Sequence, residues 1–328
     1  MTTTVSVVIP TFNRRQWISA TVESALAQTF EDFEVIVVDD GSTDGSPDML
    51  AETFGDRIRV ERLPRNLGRS TARNVGWALA KGEFVAFLDS DDLWSPEKLS
   101  RQMPYFGRPE VAMVHCWVGK TDATGLRLER ESLDLEQEFK VAAGRGYGYG
   151  GITQTWCRMY TSAVVLRREL LRKTGGFDPR LSNFEDWDVL WRVARSGEVA
   201  TVPESLVLHR THPGNTPTVW ANDAAQWLEV NWKHLSELAG TSLGPEERRA
   251  RGNLLLNMAL GEYWRRDLAA SRRWMWRALL SDPGVLARSA HYVWCAPVLH
   301  ALLPHALADQ FVNRIPVDRY TQPAAQPA

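Results

Sequence analysis

Short apolar runs alternate with amphipathic helical patterns along the first 90 residues of the chain. Four of the runs predict strands, and a helical pattern follows each of the first three. A strand, a helix and a second strand in succession form a crossover connection, so the alternation predicts an α/β fold in which helices flank a mostly parallel sheet. The predicted strands are 5–9, 34–38, 57–62 and 83–88, and the predicted helices are 16–27, 46–54 and 69–80.

Polar side chains follow three of these strands. Parallel strands of this kind end at one edge of the sheet, which is where open α/β folds bind ligands. Oxygen atoms at that edge suit Mg²⁺ or Mn²⁺, which takes only one or two ligands from the protein and leaves the rest to phosphate and water. The alternative is a turn of solvated acids. The residues are Pro10, Thr11 and Asn13 after the first strand, Asp39 and Asp40 after the second, and Asp89, Ser90, Asp91 and Asp92 after the fourth.

Two segments near this edge suit a nucleotide. Asp40 can accept hydrogen bonds from a base N–H or from ribose hydroxyls, and Gly41 lets the chain turn without a Cβ clash. The alternative for this segment is an ordinary helix start with a capping side chain. Gly68 and Arg69 open a second helix, which also carries Arg73 and can approach a diphosphate or a base. A solvated surface arginine is the alternative for Arg73.

A later helix, which begins near residue 185, carries a candidate base. Placed at 100° per residue, Glu185, Asp188, Arg192 and Arg195 share one polar stripe, which predicts a solvated face with an ion pair between Asp188 and Arg192. Asp186 falls within the apolar arc in the first turn, so we expect it to face the sheet or the cleft. The positive end of the helix favours its ionised form, which a general base requires. Capping of backbone amides is the alternative, although Ser182 and Glu185 have the spacing of a capping box and suit that role better.

An imidazole follows a further strand that is predicted around residues 207–208. His212 can complete a metal shell or contact a diphosphate, and Arg210 can neutralise phosphate charge. A structural histidine at the start of a loop is the alternative. Two more strands are predicted at 110–118 and 162–166.

Eight short segments, taken in order, carry a resemblance to a known family: 6–13, 38–44, 66–68, 72–74, 87–92, 175–178, 185–188 and 210–212. Together they resemble the motifs of family 2 glycosyltransferases over about residues 4–216. The resemblance implies a GT-A fold, which is Rossmann-like, together with a nucleotide-sugar donor and a divalent metal, Mg²⁺ or Mn²⁺. It also implies inversion at the anomeric carbon by a single displacement.

The same resemblance implies roles for individual residues. Asp186 is the expected catalytic base, and Asp91 and His212 are the expected metal contacts, with the diphosphate as an alternative partner of His212. Asp89 and Asp91 form the Asp-x-Asp pair at the ribose and the metal. The expected nucleotide-sugar site consists of Pro10, Thr11, Asn13, Asp40, Arg73, Asp89, Ser90, Glu185 and Arg210.

Three other types of protein are weighed against this interpretation. Processive family members share a Gln-x-x-Arg-Trp motif near membrane helices, but Ala270 stands where Gln would precede Arg273 and Trp274, so transfer of a single sugar is expected. A sugar nucleotidylyltransferase would have a glycine-rich loop after the first strand, and residues 11–14 contain no glycine. A noncatalytic nucleotide-sugar-binding or scaffold protein, acting through its C-terminal helices, would not need a complete set of acids.

Tryptophan-rich helical patterns follow residue 215 and divide the chain into two predicted domains. Residues 1–216 form the nucleotide-sugar-binding catalytic domain, and 217–328 form an all-α domain that selects the acceptor or makes a homodimer. Tryptophans at helical spacing are more often core residues than residues that stack on sugars or dock a partner, and a core position is therefore predicted for Trp220, Trp227, Trp232, Trp264, Trp274, Trp276 and Trp294. The glycine-rich segment 144–151 is either a substrate lid or a connector.

Composition limits location and partners. A net charge of −2 argues against a nucleic-acid partner. No signal peptide is expected at residues 1–6, and three scattered cysteines suit the cytoplasm. Residues 289–308 lack Asp, Glu, Lys and Arg, but prolines and histidines interrupt them. Buried helices are therefore predicted there, with a peripheral contact at the inner membrane face as the alternative. The donor is expected to be a UDP-, dTDP- or GDP-sugar; the acceptor is open among a saccharide, a lipid-linked saccharide, a natural product and a peptide.

Overall fold

The computed structural model describes residues 4–129, 132, 153, 159–215, 223–239 and 243–285. The chain divides into two compact units, each of which is described by itself. The first, called the sheet unit, comprises residues 1–148 and 158–215. The second, called the helical unit, comprises residues 149–157 and 216–328.

The described residues of the sheet unit form an eight-stranded sheet in the order β3-β2-β1-β4-β7-β6-β8-β5. The first four strands in this order, β3, β2, β1 and β4, are parallel to one another, as the alternation of strands and helices predicts. β7 is antiparallel to both β4 and β6, so the complete sheet is mixed. The strands are β1 Val5–Thr11, β2 Phe33–Asp39, β3 Arg59–Arg62, β4 Phe84–Phe87, β5 Leu93–Trp94, β6 Val111–Thr121, β7 Val164–Arg167 and β8 Glu198–Arg210.

Helices cover both faces of this sheet, which explains why β1 is buried at each of its seven positions. Its alternate side chains, such as Val7 and Ile9, belong to a core that also includes Ile18 and Val22 of α1 and Leu50 of α2. The helices of this unit are α1 Arg15–Leu26, α2 Ser46–Phe54, α3 Arg69–Leu79, α4 Lys98–Gln102, α5 Arg168–Thr174 and α6 Glu185–Ala194.

The carboxyl ends of β1, β2 and β4 lie at one edge of the sheet, which confirms the prediction from strand order. Thr11 of β1 stands beside Asp39 of β2, and the Asp40 backbone N–H donates to the Thr11 carbonyl at 2.8 Å. On the other side of β1, the Leu88 N–H donates to the Val8 carbonyl at 3.0 Å. The three polar strand ends are therefore neighbours.

Gly41 makes the turn after β2 possible, as predicted. Its φ is +77°, and a Cβ atom placed there would lie 2.5 Å from the Arg65 carbonyl carbon. Such a contact is far inside van der Waals distance, and a positive φ disfavours residues with a side chain. Only glycine lets the turn after Asp40 pack against the segment that leads to α3.

Three helices make up the described part of the helical unit: α7 Ala224–Glu237, α8 Pro245–Trp264 and α9 Leu268–Ser281. Their core includes Leu256, Leu260 and Met275. Trp227 is fully buried and donates its indole N–H to the Asn257 carbonyl at 3.0 Å, as the core prediction requires. That prediction is wrong for Trp232 and Trp276, which are 53% and 51% exposed.

None of the helices among the described residues combines the length and the apolar character needed to cross a bilayer. The predictions for residues 144–151 and 289–308, and those for Trp220 and Trp294, fall outside the described residues.

Candidate active site

The loop after β4 presents its acids to different surroundings. Asp92 and Ser90 are buried, whereas the side chains of Asp89 and Asp91 keep 35% and 16% of their surface exposed. The Ser90 and Asp92 carbonyls both lie within hydrogen-bonding distance of the buried Thr21 hydroxyl of α1, at 3.0 and 2.9 Å. The loop is thus tied to the core, and a turn of solvated acids does not describe it.

Arg73 of α3 joins this loop to the start of α6. Its Nη2 donates to Asp89 Oδ1 at 2.7 Å, and its Nη1 donates to Glu185 Oε1 at 2.8 Å. The guanidinium is 3% exposed and lies 5.2 Å from the centre of the Phe177 ring. Arg73 is therefore not a solvated surface arginine, which was the alternative. Two carboxylates pair with its guanidinium and so allow this charge to be buried.

Charge pairing sets the protonation of this bridge. Burial acts to lower the pKa of Arg73, but Asp89 and Glu185 outweigh it and raise that pKa. Burial likewise acts to raise the pKa of Asp89, and the Arg73 guanidinium outweighs it, so the pKa of this carboxyl lies below its usual range. The pair formed by Arg73 and Asp89 is consequently ionic at neutral pH.

The polar stripe predicted on α6 is exposed only at Arg195, which follows the last helical residue. Glu185 and Asp188 are both buried. Asp188 forms the predicted ion pair with Arg192, at 2.6 Å between Oδ2 and Nη2, and this arginine also donates to the Gly176 carbonyl. A helical wheel assigns charged residues to water, but arginines from within the fold satisfy both acids here. The capping box is also wrong, because Glu185 is the first helical residue and follows Phe184, whose φ is +61°.

Asp186 follows Glu185 in the first turn of α6 and is half-buried. Its Oδ1 accepts the Trp187 backbone N–H at 2.8 Å. Loss of hydration and the negative charge of Glu185 raise its pKa to about 7, against the opposing effect of the Arg73 guanidinium. The expectation that the start of the helix favours the ionised form is therefore wrong, because burial and a neighbouring acid outweigh the positive end of the helix. A carboxylate that titrates near neutral pH can exchange protons in both directions, which suits general-base chemistry.

A second charged cluster surrounds Asp91. His212 Nε2 lies 3.1 Å from Asp91 Oδ2, and Arg14 Nε lies 3.4 Å from the same oxygen. The imidazole stacks on Trp17 with 3.8 Å between ring centres. Its Nδ1 accepts the Gly214 backbone N–H at 3.0 Å, so the ring hydrogen lies on Nε2 and points at Asp91.

Asp91 and His212 fit a hard cation that needs few protein ligands. No group of three or more His, Cys, Asp or Glu side chains within the described ranges is arranged to hold a metal. Mg²⁺ and Mn²⁺ accept one or two protein ligands when a diphosphate and water supply the others. Asp91 could act as a ligand of such a cation without rearrangement. His212 could bind through Nε2 only after its ring hydrogen moved to Nδ1, at the expense of the bond from Gly214.

Asp40 and Asn13, which are predicted to bind the nucleoside, also make hydrogen bonds that link the loops after the strands. Asp40 is buried and accepts the backbone N–H groups of Leu67 and Gly68 at 2.7 and 2.9 Å. Burial raises its pKa despite these two bonds. Asn13, with a φ of +50°, accepts the Thr43 N–H at its side-chain oxygen and donates its own N–H to Ser42 Oγ. Each Asp40 oxygen retains a lone pair for a base or ribose donor.

Pro10 and Thr11 occupy the end of β1. Both are buried, and Pro10 pairs with Val38 of β2. Within the part of the chain that the structure describes, the Thr11 hydroxyl oxygen has no hydrogen-bond partner. Their proximity to Asp40 is what the strand order predicts.

Arg210 supports the acidic loop from β8. Its Nε donates to the Asp91 carbonyl at 2.8 Å and its Nη1 donates to the Ala123 carbonyl at 3.0 Å. The residue is 3% exposed, so the guanidinium is not presented to a phosphate as expected. Sequence reasoning also missed Ser162, which bonds to Asp89 and Asp92; a lone serine at a predicted strand start carries no signal of such a contact.

The sequence matches known glycosyltransferases. Residues 6–175, more than half of the chain, match the family model for glycosyl transferase family 2. An uncharacterized glycosyltransferase of Nostoc, alr2836, is 34% identical over 215 residues, which cover 64% of this chain and 66% of that protein. The Escherichia coli protein WfaP, a UDP-Glc:alpha-D-GlcNAc-diphosphoundecaprenol beta-1,3-glucosyltransferase, is 40% identical over 107 residues, which cover 33% of this chain and 43% of WfaP. The matches therefore span less than two thirds of these relatives.

Two solved structures share the fold. Residues 1–349 of TarS from S. aureus, in complex with UDP-GlcNAc, match with a TM-score of 0.64 at 17% identity, covering 94% of this chain and 87% of that one. The mannosyltransferase PcManGT from Pyrobaculum calidifontis, in complex with GDP-Man and Mn²⁺, matches with a TM-score of 0.59 at 20% identity, covering 94% and 83%. These likenesses confirm the predicted GT-A fold. Since its sequence motifs, its fold and the match over residues 6–175 agree, the chain belongs to glycosyl transferase family 2.

Proposed function

We propose that this protein transfers a single sugar from a nucleoside diphosphate sugar to an acceptor hydroxyl, with inversion and with Asp186 as the general base. The observation that carries the proposal is the bridge that Arg73 makes between Asp89 and Glu185, next to a carboxylate whose pKa is raised to about 7. One arginine thus holds Asp89 of the donor side and the first residue of the helix that carries Asp186, which suits a displacement that needs the donor site and the base close together.

The donor end of the reaction would lie at the edge formed by β1, β2 and β4. We assign Pro10, Thr11, Asn13 and Asp40 to the nucleoside, and Asp89 and Ser90 to the ribose side of the metal site. TarS and PcManGT were solved with UDP-GlcNAc and with GDP-Man, which supports a UDP- or GDP-sugar here, with a dTDP-sugar as the remaining candidate.

Departure of the nucleoside diphosphate builds negative charge on its phosphate oxygens. A bound Mg²⁺ or Mn²⁺, held by Asp91 and His212, would supply Lewis-acid stabilisation of that charge. Arg73 keeps Asp89 ionised beside it and holds Glu185 in place. Arg210 is reassigned from the phosphate to the support of Asp91, because the residue is buried and its Nε and Nη1 donate to backbone carbonyls.

Asp186 would remove the proton of the acceptor hydroxyl as that oxygen attacks the anomeric carbon. The glycosidic bond forms as the bond to the diphosphate breaks, so one displacement inverts the centre and leaves the proton on Asp186. The raised pKa makes this carboxylate a stronger base than an ordinary aspartate, although a smaller fraction of it is ionised at a given pH.

The acceptor is assigned less specifically than the donor. WfaP, by its name, acts on a lipid-linked saccharide, which favours that class over a free saccharide, a natural product or a peptide. We assign acceptor selection or homodimer formation to residues 217–328, and nucleotide-sugar binding and catalysis to residues 1–216. The cytoplasmic location, with or without a membrane contact at its inner face, stays a prediction.

Donor hydrolysis measured for UDP-, GDP- and dTDP-sugars, with and without Mn²⁺, tests the activity. We expect metal-dependent hydrolysis of one donor type by the wild type. The Asp186→Asn variant should lose transfer and still bind the donor. A noncatalytic nucleotide-sugar-binding protein would instead be stabilised by a donor without cleaving it, and an active Asp186→Asn variant would remove Asp186 from the mechanism.

A further inference from the structure

Ser162 makes two hydrogen bonds to the acidic loop from outside it. The residue lies in the 3₁₀ turn Thr161–Ala163, directly before β7, and is fully buried. Its Oγ accepts the Asp89 backbone N–H at 3.0 Å and donates to Asp92 Oδ2 at 2.6 Å. A single hydroxyl therefore ties the two ends of the loop that contains Asp91.

Asp92 passes this constraint on to β8. Its second oxygen, Oδ1, accepts the Arg210 backbone N–H at 3.1 Å. The side chain of Arg210 makes a second bond to the same loop, because its Nε donates to the Asp91 carbonyl at 2.8 Å. His212 stands two residues beyond Arg210, so the positions of Asp91 and His212 both depend on the bonds around Asp92.

Hydrogen bonds to the backbone of Ser162 and Ala163 fix the position of the Ser162 side chain. The indole N–H of Trp94 donates to the Ser162 carbonyl at 2.8 Å, and Gln102 Nε2 donates to the Ala163 carbonyl at 2.9 Å. Lys98 in turn donates to Gln102 Oε1 at 2.7 Å and lies 4.0 Å from the centre of a Trp94 ring. All of these groups are buried, so the hydroxyl acts from a rigid base.

We propose that Ser162 is a positioning residue that sets the separation of Asp91 and His212 and thereby the affinity for a divalent cation bound with a nucleoside diphosphate. The inference rests on the proposed function, since it concerns the cation of that reaction. Groups that orient metal ligands without touching the metal typically change metal affinity by about 10- to 100-fold when they are removed. Loss of the Ser162 hydroxyl would free Asp89 and Asp92 from their common partner and let the loop move relative to β8.

Ser6 offers a matched control near the amino end of β1, whereas the candidate site lies at the carboxyl ends of the strands. This serine of β1 is also fully buried. Its Oγ donates to a carboxylate oxygen, Glu34 Oε1, at 2.6 Å and accepts a backbone N–H, that of Gly82, at 2.9 Å. Ser162→Ala and Ser6→Ala therefore lose the same two kinds of bond, and both should lower the melting temperature of the metal-free protein by a few degrees.

The experiment titrates Mn²⁺ into the full chain in the presence of saturating UDP and follows free Mn²⁺ by electron paramagnetic resonance. We expect Ser162→Ala to weaken Mn²⁺ binding about tenfold and Ser6→Ala to change it by less than about twofold. UDP binding without metal should be the same in both variants. In transfer assays, Ser162→Ala should raise the Mn²⁺ concentration needed for half-maximal rate more than it lowers the rate at saturating Mn²⁺.

Equal Mn²⁺ affinities of Ser162→Ala and Ser6→Ala would overturn the positioning role. If Ser162→Ala does not fold, Ser162→Cys provides the second variant, because a thiol of similar size is a weaker donor and acceptor. An intermediate loss of Mn²⁺ affinity is then expected, and wild-type affinity would refute the inference. A wild-type protein that binds Mn²⁺ equally with and without UDP would overturn the proposed function, and with it the basis of this inference.

Discussion

The ionisation of Asp186 should control the pH dependence of transfer. Loss of hydration and the charge of Glu185 raise the pKa of Asp186 to about 7, and a general base acts only when it is deprotonated. With that pKa, about 9% of the carboxyl is ionised at pH 6 and about 91% at pH 8. The value of kcat/KM should therefore rise about tenfold across this interval, whereas an aspartate with an ordinary pKa would give a flat profile.

Glu185→Gln changes this profile in a defined direction. Glutamine keeps an oxygen that can accept from Arg73 Nη1 but removes the negative charge beside Asp186. The midpoint of the rising limb should then move below pH 7. Glu52→Gln, which alters an exposed acid of α2, is the control and should leave the midpoint unchanged. The assay follows nucleotide release at subsaturating donor, so that it reports the free enzyme.

The same pKa predicts a stability difference. Between the ordinary pKa of 3.8 and about 7, folded Asp186 binds protons that the unfolded chain has released, so stability falls as pH rises through this window. Asp186→Asn removes the penalty and should melt at a higher temperature than the wild type at pH 8, with little difference at pH 4. A flat rate profile across neutral pH, or a Glu185→Gln midpoint equal to that of the wild type, would refute the reasoning.

Three other substitutions test the site and the turn beside it. Arg73→Met leaves the carboxylates of Asp89 and Glu185 without their common partner, and urea unfolding should show a loss of about 3–5 kcal/mol; a loss below about 1 kcal/mol would contradict the bridge. Asp91→Ala should abolish Mn²⁺-dependent donor binding in calorimetric titration, and an unchanged titration would remove Asp91 from the metal site. Gly41→Ala places a Cβ 2.5 Å from a backbone carbon and should cost about 2 kcal/mol, so an unchanged melting temperature would contradict the turn geometry.

The strand and helix pattern of the first 90 residues was readable because it depends on local periodicity. β1, β2 and β4 stand where their apolar runs predict, and their shared edge follows from the handedness of crossover connections. The antiparallel insertion of β7 between β4 and β6 was not readable. A four-residue apolar strand carries no information about the direction of its neighbours.

The candidate site shows the same division. The motifs brought Asp40, Asp89, Asp91, Asp186 and His212 to attention without any coordinates. They said nothing of which acids are buried, because burial of a charge depends on a partner that is distant in the chain. Glu185 is inside the protein only because Arg73, 112 residues earlier, meets it there.

The sequence by itself therefore determined the α/β class, the edge of the sheet at which the polar strand ends meet, and the acids proposed for the candidate site. Periodicity and motif order depend only on residues that are close in the chain, so the sequence alone displays them. Only the tertiary structure decided that Arg73 is a buried bridge, that Arg210 supports Asp91, and that Ser162 holds the acidic loop. These roles arise from hydrogen bonds between segments 16 to 119 residues apart, and the packing of the sheet against its helices brings those segments together.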